Sequence, residues 1–317
     1  MWGIRASRLR SAGRIFSSLL GLLATLAAAP ADAQSCTVSM TSVAFGTVDV
    51  LPGTAVDTTA TVTVSCSGGG QIVRACVNIT CGSACDSTSR QMNGPSSHTA
   101  RYDLYSNSTR TTLWGSWQTG YDTAGVQVSV PKNGSVNQTV YARFLASQPT
   151  DIAGSYTSTL SASITYIQQG TTNCPVGTLT NTNSPAVTAT VSSNCTVAAT
   201  AISFGSQGIL SSNKDAQGTL SVQCTSGLPY AVSLDGGLTG ATNPAQRKMA
   251  FSGANVVYGL YQDSARTSPW GSTSGVNTAS GTGTGVTQTL NVYGRVAPQA
   301  TPKPGTYTDT IVATITY

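Results

Sequence analysis

Eight cysteines, one histidine and eleven aspartates are the side chains of this 317-residue sequence best suited to chemistry, and glutamate is absent. A Ser–His or Cys–His arrangement would have to rest on His98 alone, and its setting, Pro-Ser-Ser-His-Thr-Ala, reads as a polar loop. Asp103 and Asp122 flank Trp114 and offer a carboxylate pair of the glycosidase kind, but scattered aspartates without glutamate fit solvated turns better. Asp235-Gly236-Gly237 is a turn signal that lacks the strand–Gly-rich-loop–helix setting of a phosphate cradle. No catalytic residue, cofactor or metal site is expected, and the chain is not expected to be an enzyme.

The cysteines carry the strongest chemical signal. Cys76, Cys81, Cys85 and Cys174 could be weighed as zinc ligands, but C-x4-C-x3-C with a distant fourth residue is not a recognised tetrad. The front of the chain points to disulfides instead. Arg5, Arg8, Arg10 and Arg14 form a basic region, Leu19 to Ala29 an apolar core too short to span a bilayer, and Ala31-Asp32-Ala33 a small-x-small cleavage site. Residues 1–33 are expected to be a signal peptide, with a mature chain starting at Gln34, exported through an oxidising compartment. Cys36 with Cys66 and Cys195 with Cys224 stand at matching spacings. The other four cysteines allow three pairings. Cys81–Cys85 makes a plausible small loop and leaves Cys76 to hold Cys174 and the linker around it.

Composition narrows the partners. Without residues 1–33 the net charge falls from +5 to +2, and no basic patch suggests nucleic acid. No later apolar run approaches a membrane span, so none is expected in the mature protein. Thr, Ser, Gly, Val and Ala dominate, which disfavours helices and favours strands.

The elements that carry these residues are written twice. Cys36-Thr-Val…Phe45-Gly46 answers Cys195-Thr-Val…Phe204-Gly205, and Arg90-Gln-Met92 answers Arg247-Lys-Met249. Tyr102-Asp-Leu-Tyr105, Leu113-Trp-Gly-Ser116 and Tyr141-Ala-Arg-Phe144 return as Tyr258-Gly-Leu-Tyr261, Pro269-Trp-Gly-Ser272 and Tyr293-Gly-Arg-Val296. Gly154-Ser-Tyr…Tyr166 returns as Gly305-Thr-Tyr…Tyr317. A period of about 150 residues suits tandem domains rather than a solenoid. Short alternating segments between Gly, Pro, Asn and Ser clusters indicate antiparallel sandwiches. The expected organisation is a first domain over 34–166, a linker over 167–194 and a second domain over 195–317.

Together these motifs resemble the spore coat protein U family, which includes the pilins of archaic chaperone–usher pili of the Csu type. The resemblance covers both halves and is strongest in the second. In the first, Ser158 stands where the terminal strand has Asp309, Ala142 stands before Arg143, and extra cysteines appear. Membership implies an all-β chain of two immunoglobulin-like, pilin-type antiparallel β-sandwiches, the C-terminal one lacking its final strand. It also implies assembly by donor-strand exchange, with a periplasmic chaperone, an outer-membrane usher and an adjacent pilin as partners.

The ends of the two copies set the expected assembly. Tyr307, Ile311, Ala313, Ile315 and Tyr317 share one face of an alternating strand that would border an acceptor groove. In the first copy the chain continues into Pro185-Ala-Val-Thr-Ala-Thr-Val191, where Val187, Ala189 and Val191 alternate as a groove-filling strand requires. That stretch either completes the first domain in cis or merely leads into the second. Nothing comparable follows Tyr317, and only Gln34 and Ser35 precede Cys36 in the expected mature chain. A subunit that accepts a strand and donates none belongs at a fibre tip, exposed on the cell surface. Leu51, Trp117 and Tyr121 are candidate contacts to an abiotic or host surface in biofilm formation. The alternative for Trp117 and Tyr121 is packing on their own domain. The rival functions are a laterally packed coat or matrix protein of the same family and a secreted carbohydrate-binding protein.

Overall fold

The structure, a computed structural model, describes residues 34–86, 88–116, 125–168 and 180–317. The expected leader over 1–33, Trp117, Tyr121, Asp122 and Cys174 lie outside these. The described chain folds into two antiparallel β-sandwiches, each with its own apolar cluster.

The first sandwich comprises β1 (Ser35–Met40), β2 (Val43–Val48), β3 (Val56–Ser67), β4 (Val73–Ile79), β5 (Ala84–Cys85), β6 (Arg90–Asn93) and β7 (Thr99–Tyr105). It continues with β8 (Val126–Val130), β9 (Ser135–Phe144), β10 (Gly154–Thr159), β11 (Ala162–Gln168), β12 (Thr180–Asn183) and β13 (Ala186–Val191). One sheet runs β1-β3-β9-β7-β6-β10-β13-β2, with β5 paired to β6, and faces a second sheet, β12-β11-β4-β8. The long strand β3 shows why the sheets stack: from Ala60 onward every second side chain is buried and its neighbours are half-exposed.

The second sandwich repeats the plan with fewer strands: β14 (Cys195–Ala199), β15 (Lys214–Cys224), β16 (Pro229–Leu234), β17 (Arg247–Phe251), β18 (Ala254–Tyr261), β19 (Ala279–Thr282), β20 (Gln288–Val296) and β21 (Ala313–Thr316). Its sheets run β14-β15-β20-β18-β17 and β19-β16-β21. Equivalents of β2, β5, β10, β12 and β13 are missing from this set.

Disulfides join Cys36 to Cys66 and Cys195 to Cys224, each linking the first strand of a sandwich to its long neighbour. Each closes a loop of about 30 residues and contributes roughly 3–4 kcal/mol on the chain-entropy model. Cys81 is joined to Cys85, and Cys76 is also disulfide-bonded.

Only Ser192, Ser193 and Asn194 separate β13 from β14, and the sandwiches touch around them. The Asn194 side chain donates to Asp49 Oδ2 at 2.7 Å, and a parallel bridge pairs Ile152 with Ser226. Pro149 comes so near Gly285 that no side chain could replace that glycine. Beside this junction Asp151 is buried with Oδ2 unpartnered. Burial pushes its carboxyl up to about 7, against the pull of the Arg101 guanidinium. Between 3.8 and that value the carboxyl is protonated in the fold and ionised in the unfolded chain. Stability is therefore expected to fall by up to about 1.4 kcal/mol per pH unit across that window and level off above it. Asp151→Asn should flatten the slope in thermal unfolding between pH 4 and 8; an unchanged slope would assign it to other groups.

Candidate strand-acceptor groove

In the first sandwich β13 lies between two strands. It pairs antiparallel with β10 along all six residues, Gly154 opposite Val191 through Thr159 opposite Ala186. On its other side it pairs parallel with β2, Val187 opposite Val43 and Val191 opposite Val48. Its alternation decides which face turns inward: Val187, Ala189 and Val191 are 0, 4 and 2% exposed, while Thr188 and Thr190 face solvent. Among the described residues β13 is the only sheet neighbour of β2 and forms the outer ladder of β10.

The second sandwich shows what the same sequence does without such a strand. Residues 201–212, the counterpart of β2, are irregular, as are residues 305–312, the counterpart of β10. Val50 is 5% exposed in the first sandwich, whereas Ile209 at the equivalent place is 76% exposed. Two adjoining cavities of about 400 and 810 Å³ run between these segments and share Ile202, Phe204, Met249 and Tyr307 in their walls. Leu220, Tyr258, Leu260, Val292 and Ile311 form the floor and sides of the smaller one. The result is an apolar slot bordered by two unpaired edges.

The expected strand Tyr307–Tyr317 is thus only partly a strand. Ala313–Thr316 pairs with β16, while residues 305–312 hold one bridge, Thr308 to Ala250. Tyr307, Ile311 and Ala313 line the slot; Ile315 sits further along the pairing with β16, and Tyr317 is largely exposed. The reason is physical: a strand edge needs hydrogen-bonding neighbours, and residues 305–310 lack the outer one that β10 has. The two tyrosines at this corner are nevertheless set alike. The Tyr156 hydroxyl donates to Ile152 O at 3.0 Å and the Tyr307 hydroxyl to Lys303 O at 2.8 Å, each four residues back.

A family model described as the Spore Coat Protein U domain matches the chain over residues 22–163 and again over 181–314. The chain belongs to that family. Protein U of Myxococcus xanthus is 38% identical over 106 residues, which cover 32% of this chain and 59% of that protein. The chain therefore spans about 59% of that relative's length. Among solved structures, the chaperone–tip adhesion subunit pre-assembly complex of archaic Csu pili from Acinetobacter baumannii superposes with a TM-score of 0.51. That match covers 89% of this chain and 100% of the other at 16% identity, a likeness of fold.

Several residues of these two spore coat protein U domains acquire plain structural roles. Trp114 and Trp270 are buried, their indole nitrogens donating to Val77 O at 3.0 Å and Val232 O at 2.9 Å. Asp103 is buried 3.6 Å from Arg90, and Asp235 accepts the amides of Gly237 and Val312 at 3.0 Å each. Leu51 is half-buried at the junction, its carbonyl accepting from Gln223 of the second sandwich at 3.4 Å. Among the described residues no three His, Cys or Asp side chains stand together, and no helix is long and apolar enough to cross a membrane.

Two features escaped the reading of the sequence. Arg90 and Arg247 are fully buried, each guanidinium collecting backbone carbonyls from the end of one strand and the segments beside it. On the outer face Asp57 takes a bidentate pair from Arg143 at 2.7 and 2.9 Å, with Arg110 at 3.2 Å lying over Tyr141. Asp215, Arg295, Arg266 and Tyr293 repeat the group. The Arg143 and Arg295 hydrogen bonds hold Asp57 and Asp215 below the usual carboxylate range. The repeated Arg90 and Arg247 motifs were the available signal.

Proposed function

We propose that this protein is an exported chaperone–usher pilus subunit whose second sandwich accepts a β-strand from a neighbouring subunit, with the first sandwich completed in cis by residues 186–191. The observation that carries the reading is internal to the chain. A slot filled by β13 in one sandwich has no strand in its equivalent in the other. A periplasmic chaperone would cover the open groove before export, and an outer-membrane usher would exchange it for the incoming strand. That handover removes an exposed apolar edge that would otherwise aggregate. The disulfides and the leader-like segment support passage through an oxidising compartment.

The place in the fibre follows from a first sandwich whose groove is already occupied. Such a subunit joins its neighbour through the second sandwich and leaves the first free at the tip, there to mediate surface attachment and biofilm formation. The likeness to a chain from a chaperone–tip adhesion subunit complex supports this placement. Trp117 and Tyr121, in a stretch of sequence whose second-half counterpart has neither aromatic, are the proposed contacts to an abiotic or host surface.

The test adds peptides alternating Val, Ile or Ala with Thr or Ser, among them one with the sequence of residues 184–193, to the purified chain. At a hundred times its dissociation constant a bound donor should stabilise the second sandwich by about 2.7 kcal/mol and leave the first unmoved. A second sandwich whose melting ignores the whole panel would sink the proposal.

A further inference from the structure

Matching the two sandwiches position by position exposes an exchange that strand acceptance alone leaves unexplained. Arg90 stands opposite Tyr102 and Arg247 opposite Tyr258, so Asp103 and Gly259 are equivalent. Thr157 bridges Asn93 and Thr308 bridges Ala250, so Ser158 and Asp309 are equivalent. The acids around the buried arginine therefore differ. In the filled sandwich the acid is Asp103 on the inner strand β7; in the open one Asp235 and Asp309 stand near Arg247, and Asp309 is on the wall of the groove.

Asp309 is heavily engaged there. Its Oδ2 accepts from the Tyr258 hydroxyl at 2.7 Å, and its Oδ1 accepts the amides of Leu238 and Thr310 at 2.8 Å each. Gly237, at φ 71°, makes room for it, since a side chain there would collide with the carboxylate. Ser158 does less at the same node, accepting the Ser83 amide at 3.0 Å. The difference follows the ladders. β10 is held along its length by β13, whereas residues 305–312 are held by one bridge, by Asp235 at Val312 and by Asp309. Bonds to a carboxylate are roughly twice as strong as those between neutral groups. A wall without them would spend part of its time away from the conformation that a strand pairs with, and affinity falls by that fraction.

We propose that Asp309 is a positioning residue that keeps the wall of the empty groove formed for an incoming strand, a task the self-filled first sandwich does not have. The proposal rests on the strand-acceptor reading above. Its test compares the full-length chain with Asp309→Ser, which installs the first sandwich's residue, and with Tyr258→Phe, which keeps the ring and removes one donor. The probe is the peptide of residues 184–193, with the rest of the alternating panel beside it. Asp309→Ser should bind the donor roughly tenfold or more weakly and Tyr258→Phe severalfold more weakly. Amide exchange over residues 305–312 should quicken in the empty variants and return to the wild-type rate once the groove is filled. A purely structural residue would instead lower the melting temperature of empty and filled protein alike, leaving donor affinity and exchange unchanged, and that result overturns the inference. Variants that fold and bind as the wild type does overturn it alone; a wild type that binds no peptide overturns the acceptor reading and the inference together. Should Asp309→Ser not fold, Tyr258→Phe decides.

Discussion

Ala189→Asp is expected to unfold the first sandwich while leaving the second intact. Ala189 is buried opposite Tyr156, in a strand hydrogen-bonded on both sides. A carboxylate there would face buried Tyr156 between Val187 and Val191 and must lose its hydration, a mechanism that costs roughly 3–5 kcal/mol when an unpaired charge is buried. That is a large share of the 5–15 kcal/mol by which a domain is typically stable. Expelling β13 offers no escape, because β2 then loses the strand it pairs with and β10 its outer ladder. The second sandwich has a separate apolar cluster that excludes Ala189, so its own transition should stay in place. Calorimetry that resolves the two transitions reads the difference directly. Thr188→Asp, one residue away on the solvent face, should change stability by about 0.5 kcal/mol or less. Equal effects at the two positions would mean that β13 is not seated as described.

Arg247→Met is the second large effect, and it strikes the other sandwich. The guanidinium donates to Asp235 O at 2.8 Å, Pro244 O at 2.6 Å, Leu234 O at 3.2 Å and Trp270 O at 2.7 Å. Leu234 ends β16 and Asp235 follows it, while Pro244 and Trp270 belong to the connecting segments, so one guanidinium ties four places together. Burial draws the Arg247 pKa down, opposed by the Tyr258, Asp235 and Asp309 groups nearby. Methionine fills much of the space but satisfies none of the acceptors. Each buried group left without a partner costs about 1–3 kcal/mol, and relaxation recovers part, so a loss of roughly 3–5 kcal/mol is expected in urea unfolding. Arg247→Lys should recover little, since a point-like ammonium cannot reach carbonyls spread around a planar fork. Arg90→Met should behave similarly in the first sandwich and also remove the cation 3.6 Å from buried Asp103. A cost below about 1 kcal/mol at Arg247 would show that water replaces the guanidinium.

Much of the architecture was legible because period-two alternation and disulfide-forming pairs are local statements. Cys36-Thr-Val and Cys195-Thr-Val each announce a strand, and the long partners carrying Cys66 and Cys224 alternate plainly. Arg90 and Arg247 were illegible for the opposite reason. A charged side chain reads as a solvated one until the carbonyls converging on it are placed, and those come from elements far apart in the chain. The junction at Leu51 is of the same kind: nothing in its apolar loop announces that its carbonyl accepts from Gln223 of the second sandwich.

The sharpest contrast lies in two nearly matching strings. Gly154–Tyr166 and Gly305–Tyr317 share their tyrosines, their alternation and their glycine start. Composition and period alone settle that each is built for a half-buried strand and which side chains share a face. They do not settle whether the strand forms. Gly154–Thr159 becomes β10 because β13 lies beside it; Gly305–Thr310 stays irregular because its equivalent neighbour is missing. A strand's hydrogen bonds belong to its partners, so only the tertiary arrangement decides which copy is closed and which stands open.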